Sequence, residues 1–116
     1  VKVLLDENLD RRFREGLGTH QVFTASFMGW GGFKNGKLLL AAETDGFDVL
    51  ITGDQSLSYE QNLSGRRLAI VALSCVEWRI AKDHLRAIAL ALERATPGSF
   101  QSVDCGAFNR KRIPEI

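Results

Sequence analysis

Two aspartates stand just beyond short apolar runs: Asp6 follows residues 1–5, and Asp54 follows residues 48–52 with one glycine between. Runs this short, rich in aliphatic residues and ended by polar or glycine residues, read as strands buried on both faces. Carboxylates gathered at one sheet edge repel one another unless a hard cation such as Mg²⁺ or Mn²⁺ neutralises them. A cation so held polarises a phosphate and activates water. The same side chains also suit structural work, Asp6 as the cap of a following helix and Asp54 as the start of a turn.

Other constellations fail at the position their chemistry needs. Gly31 to Leu38 nearly spells the phosphate loop of nucleotide hydrolases, but Leu38 stands where a Ser or Thr hydroxyl must reach Mg²⁺. Asp6, Asn8 and Asp10 imitate a calcium loop, yet Arg11 replaces its glycine and Leu17 its final glutamate. His20 and His84 have no Cys, Ser or His partner at ligand or triad spacing. Cys75 and Cys105 match no zinc spacing and read as free, buried thiols.

The elements that must position the aspartates alternate. After the first strand, Leu9, Phe13 and Leu17 recur at helical spacing, with Asn8 as N-cap and Gly18 as the stop. Residues 21–25 read as a second strand, followed by a glycine-rich loop and a helix over 38–43 ended by Gly46. Residues 48–52 and 68–73 are further strands, separated by a polar stretch with a helical turn at 59–63. An amphipathic helix over 82–94 closes at Pro97-Gly98, and residues 100–103 make a last strand. This alternation predicts one α/β domain with a mainly parallel sheet, in which ligands sit beyond the carboxyl ends of the strands where strand order reverses.

Composition bounds the rest. The 116 residues, 45% hydrophobic and 25% charged, suit one core, assigned here to residues 1–103 with a loosely held tail over 104–116. A net charge of +1 gives no bulk field for nucleic acid or membrane, so any such partner needs a local patch. No apolar run approaches the roughly 20 residues that span a bilayer, and no signal-peptide pattern opens the sequence, so the expectation is a soluble, cytoplasmic protein without a membrane partner.

Three blocks in order carry a family resemblance: Val-Leu-Leu-Asp-Glu-Asn-Leu from Val3, Gly-Trp-Gly-Gly-Phe-Lys-Asn-Gly from Gly29, and Phe-Asp-Val-Leu-Ile-Thr-Gly-Asp-Gln-Ser-Leu from Phe47. Over roughly residues 1 to 103 the chain resembles the small stand-alone PIN-like domains, relatives of the PIN nucleases that serve as toxins in VapBC-type toxin-antitoxin modules. The resemblance implies a three-layer α/β/α sandwich on a parallel sheet of four or five strands. It also implies a Mg²⁺- or Mn²⁺-dependent endoribonuclease with Asp6 and Asp54 as catalytic metal ligands and Thr52 in support. Two positions depart from the family pattern, Asn35 and Ser56 standing where acids are usual. They are expected to position water or phosphate, with Glu7 or Glu43 as substitute acids and Glu43 too far along its helix. The thinned site predicts weak cation binding.

Substrate contacts are expected from Arg11, Lys34 and Lys37, with Arg66, Arg67 and the run Arg110-Lys111-Arg112 on RNA phosphates, and Trp30, Phe33 or Tyr59 stacking on bases. The family further implies a small antitoxin as partner and a possible homodimer, for which Phe27, Met28 and Trp30 offer apolar surface unless they are buried within the monomer. The alternative is a catalytically weakened domain that binds RNA or protein.

Overall fold

The computed structural model describes residues 1–55, 63 and 65–105. In chain order the elements are β1 (Lys2–Leu5), α1 (Phe13–Gly16), β2 (Gln21–Thr24), α2 (Asn35–Thr44), β3 (Val49–Thr52), β4 (Ala69–Leu73), α3 (Trp78–Ala81), a 3₁₀ turn (Lys82–His84), α4 (Leu85–Arg94) and β5 (Phe100–Val103). The strands form one all-parallel, five-stranded sheet ordered β2-β1-β3-β4-β5. Every residue of β3 and β4 is buried, because helices cover both faces of a parallel sheet. The edge strands are more polar, with Gln21 and Ser102 exposed.

Alternate residues of the central strands enter different cores, as the two-residue period of a strand requires. Val3, Leu5, Val49, Ile51, Val71 and Leu73 meet Phe13 of α1 and Ile88 and Leu92 of α4 on one face. On the other face Leu4, Leu50 and Ile70 meet Leu38, Leu39 and Ala42 of α2. The result is an α/β sandwich on a parallel sheet, of the class the alternating pattern predicts. Leu50, fully buried on the central strand β3, is a position where truncation to Ala costs about 2–5 kcal/mol.

Three differences from the predicted elements have local causes. The helix expected from Leu9 forms only at Phe13, because Asp10 Oδ1 accepts the Arg12 N–H at 2.8 Å and holds a turn that delays it. Asn8 therefore caps no helix; Leu9 N–H bonds the Asp6 carbonyl at 3.0 Å instead. The helix α2 starts three residues earlier than predicted, which puts Asn35 at its first position. A separate short helix, α3, precedes the predicted amphipathic one, and its Trp78 packs edge-on against Phe13 at 5.1 Å between centroids.

Cys105 is fully buried, its N–H donating to Ser74 Oγ at 2.7 Å, so the chain is still anchored in the core two residues beyond β5. Burial pushes the Cys105 thiol pKa up. Among the described residues Cys75 is half-buried, and both cysteines are free thiols. No helix of these residues is long and apolar enough to cross a membrane. The turn predicted at 59–63, apart from Leu63, and the basic run at 110–112 lie outside the described residues.

Candidate functional site at the strand switch point

From β1 the chain passes through α1 to β2 on one side, then returns through α2 to β3 on the other side of β1. Because α1, which follows β1, and α2, which follows β2, belong to opposite faces, these connections leave the carboxyl edge of the sheet on opposite sides with a crevice between them. Strand order reverses at this point, where open parallel sheets bind their ligands. Asp6 and Asp54 sit at its two lips.

Thr52 joins them. It is fully buried, and its hydroxyl donates to Asp6 Oδ2 at 2.6 Å while accepting the Asp54 N–H at 3.0 Å. A buried hydroxyl is tolerated because both its donor and its acceptor capacity are used. The other Asp6 oxygen accepts the Glu7 N–H at 2.8 Å, and the Asp6 N–H continues the ladder to the Ile51 carbonyl at 2.9 Å. Asn35, at the start of α2, donates from Nδ2 to Asp54 Oδ2 at 2.9 Å. One hydrogen-bonded chain thus runs Asp6, Thr52, Asp54, Asn35 across the crevice.

Gly53 is required by close approach: a Cβ there would run into Val76 Cγ1. The loop after β4 therefore backs the turn that presents Asp54. Glu7 is exposed and its Oε2 accepts the Gly32 N–H at 2.6 Å, tying the glycine-rich loop before α2 to the end of β1. Glu7 thereby acts as a tether beside the site.

The remaining predicted residues scatter. Arg11 is exposed and shares a surface depression with Asp6 and Glu7. Lys34 is exposed at the N-terminus of α2. Lys37 lies over the Phe33 ring at 4.2 Å from its centroid, along a different groove lined by Trp30 and Leu40. Ser56 and Tyr59 lie outside the described residues. Met28 and Trp30 pack on the core beside α2, whereas Phe27 is 72% exposed.

The opposite end of the sheet engages two residues expected on RNA. Arg66 Nη1 donates to Glu43 Oε1 at 2.6 Å, Arg67 donates to the Glu43 carbonyl, and the N–H groups of Arg67 and Leu68 donate to Glu43 Oε2. These contacts brace the end of α2 against the start of β4, away from the crevice. Sequence reading did not anticipate this brace, although an acid near the end of one element and paired arginines before the next strand are its signal. It also did not anticipate Asp10, whose carboxyl is held down to about 2 by its hydrogen bonds to Arg12.

Two carboxylates and an amide oxygen, positioned around the committed Thr52 hydroxyl, are oxygen donors compatible with Mg²⁺ or Mn²⁺, which accept few protein ligands and keep several waters. The set is sparse: among the described residues no group of three or more His, Cys, Asp or Glu converges to hold a metal. Asn35 bonds Asp54 through its amide nitrogen, which leaves its carbonyl oxygen as the ligating atom. No family model, curated protein or solved structure matches the chain.

Proposed function

We propose that this chain is a divalent-cation-dependent phosphodiesterase of the PIN-like type, acting on RNA as a toxin held in check by a small antitoxin. The observation that carries the reading is the Thr52 clamp, which holds Asp6 and Asp54 together at the strand switch point. Thr52 bonds the Asp6 carboxylate on one side and the Asp54 N–H on the other, at the ends of adjacent strands, and two carboxylates so placed suit a hard cation. A Mg²⁺ or Mn²⁺ ion bound there would supply Lewis-acid polarisation of the phosphodiester and activation of water. Asp6 and Asp54 would hold the ion, Thr52 fixes the Asp6 carboxylate and the Asp54 backbone, and Asn35 orients the Asp54 carboxylate and would offer a carbonyl oxygen to water or cation.

A second reading is favoured by the Asn35 contact itself. An amide that donates to Asp54 satisfies without metal a carboxylate oxygen that a third acid would repel. The domain then binds RNA or an antitoxin without cutting.

Calorimetric titration of Mn²⁺ into the protein, Asp6→Asn and Asp54→Asn separates the two readings. Saturable binding lost in both variants, with RNA cleavage lost in parallel, supports the hydrolase. No binding at millimolar Mn²⁺ refutes it and leaves the binding module.

A further inference from the structure

Two surface depressions join into one groove. One is lined by Asp6, Arg11, Arg14, Thr24 and Phe27, the other by Arg11, Arg12, Arg14, His20 and Gln21. Arg11 and Arg14 belong to both, so a continuous path leads from the carboxyl end of β1 along the outer edge of the sheet between α1 and β2. Asp6, Glu7 and Asp10 line one end, Arg12 and His20 with Glu15 the other, and Arg11 and Arg14 stand between.

The arginines are differently committed. Arg12 is locked onto Asp10 by bonds of 2.7 and 3.0 Å. Arg14 Nε donates to the Val22 carbonyl at 3.1 Å. Gln21 and Ala25 direct their N–H groups at the neighbouring strand's Val1 and Leu5 carbonyls, so the intervening Val22 carbonyl faces outward from this edge strand. Arg14 covers it, which disfavours the addition of a peptide strand at this edge and anchors a guanidinium in the groove. Arg11 makes no ion pair among the described residues.

Phe27 is the most exposed large apolar side chain described, at 72%, yet it is held in place. Its N–H donates to Thr24 Oγ1 at 3.0 Å and its ring lies 6.0 Å from that of Phe23. A braced, bare aromatic ring beside the anchored Arg14 and the exposed Arg11 matches what single-stranded nucleic acid requires, a face for an unpaired base and cations for the phosphates.

We infer that this groove is the track of a single-stranded nucleic acid, with phosphates on Arg11 and Arg14 and an unpaired base on Phe27 next to Asp6. The inference rests on the phosphodiesterase reading for its direction, but its test needs neither metal nor cleavage. Anisotropy of labelled oligouridine, its deoxy counterpart and a duplex is measured in chelator, on an Asp6→Asn background. Phe27→Ala weakens single-strand binding about tenfold, Phe27→Leu does the same, and Phe27→Trp retains it. Arg11→Glu weakens binding and lowers the salt slope by about one. Arg94→Glu, on α4 beside the opposite sheet edge, changes neither. A preference for the ribose strand names RNA as the occupant, and equal binding of both strands equally supports the track.

Wild-type affinity in Phe27→Ala and Arg11→Glu overturns the track, as does full affinity in Phe27→Leu, tighter binding of the duplex, or no single-strand binding at all. Absence of Mn²⁺ binding by the unaltered protein in the calorimetric experiment refutes the hydrolase while leaving these outcomes readable.

Discussion

Asn35→Asp probes the site most directly, because it replaces the donor facing Asp54 with a third carboxylate. Two effects follow without metal. The 2.9 Å hydrogen bond is lost, at about 1 kcal/mol. Two carboxylates also face each other, and at about 4 Å with an effective dielectric near 20 their repulsion is about 4 kcal/mol. Both residues are only half-buried, so solvent screening reduces that repulsion to about 1 kcal/mol. The variant should therefore lose about 2 kcal/mol in chelator, lowering Tm by about 8 °C or more. A cation between the carboxylates reverses the sign. Mn²⁺ at a hundred times its Kd returns about 2.7 kcal/mol, and the added charge should tighten binding about tenfold over wild type. Thermal melts in chelator and in Mn²⁺, with calorimetry on both proteins, read these quantities. A variant that loses stability in chelator and gains none in Mn²⁺ refutes a cation at this position. A variant as stable as wild type in chelator refutes the Asn35–Asp54 contact.

Other perturbations test the surroundings. Glu43→Gln removes the charge that Arg66 faces at 2.6 Å with both side chains largely covered, and should cost about 2 kcal/mol in chemical denaturation while leaving Mn²⁺ affinity unchanged; a change in affinity would place Glu43 in the site after all. Gly53→Ala forces a Cβ into Val76 Cγ1 and should lower stability by about 1–3 kcal/mol, and Gly53→Ala with Val76→Ala should recover most of it; no recovery in the double variant would show that the loop after β4 does not back this turn. Asp10 has its carboxyl lowered from 3.8 to about 2 by Arg12, so its contribution is complete above pH 3.8 and is lost as pH falls toward 2. The stability difference between wild type and Asp10→Asn should accordingly shrink across that window in pH-dependent melts, and a constant difference would exclude the pairing.

Much of the fold was legible because short-range patterns encode it. The aliphatic runs at β1, β3 and β4 announce strands buried on both faces, and Gly46, at positive φ directly after the C-cap of α2, marks the end of that helix. Where prediction drifted, a side chain competed with local propensity. Asp10 turned the chain and delayed α1, and no periodicity in residues 9–17 records that contest.

The sequence by itself determined that Asp6 and Asp54 lie just past strand ends, because that depends only on apolar runs and what terminates them. Only the tertiary structure decided that they are joined through Thr52. That link requires β3 to pair with β1 rather than with β2, and pairing order is a long-range choice that no local pattern contains. The same choice buried Thr52 between them, brought Asn35 onto Asp54 from the opposite layer, and carried Glu43 and Arg66 to the far end of the sheet. Residue types supply the chemistry locally, whereas the distances that let it operate come from how the cores on the two faces of the sheet close.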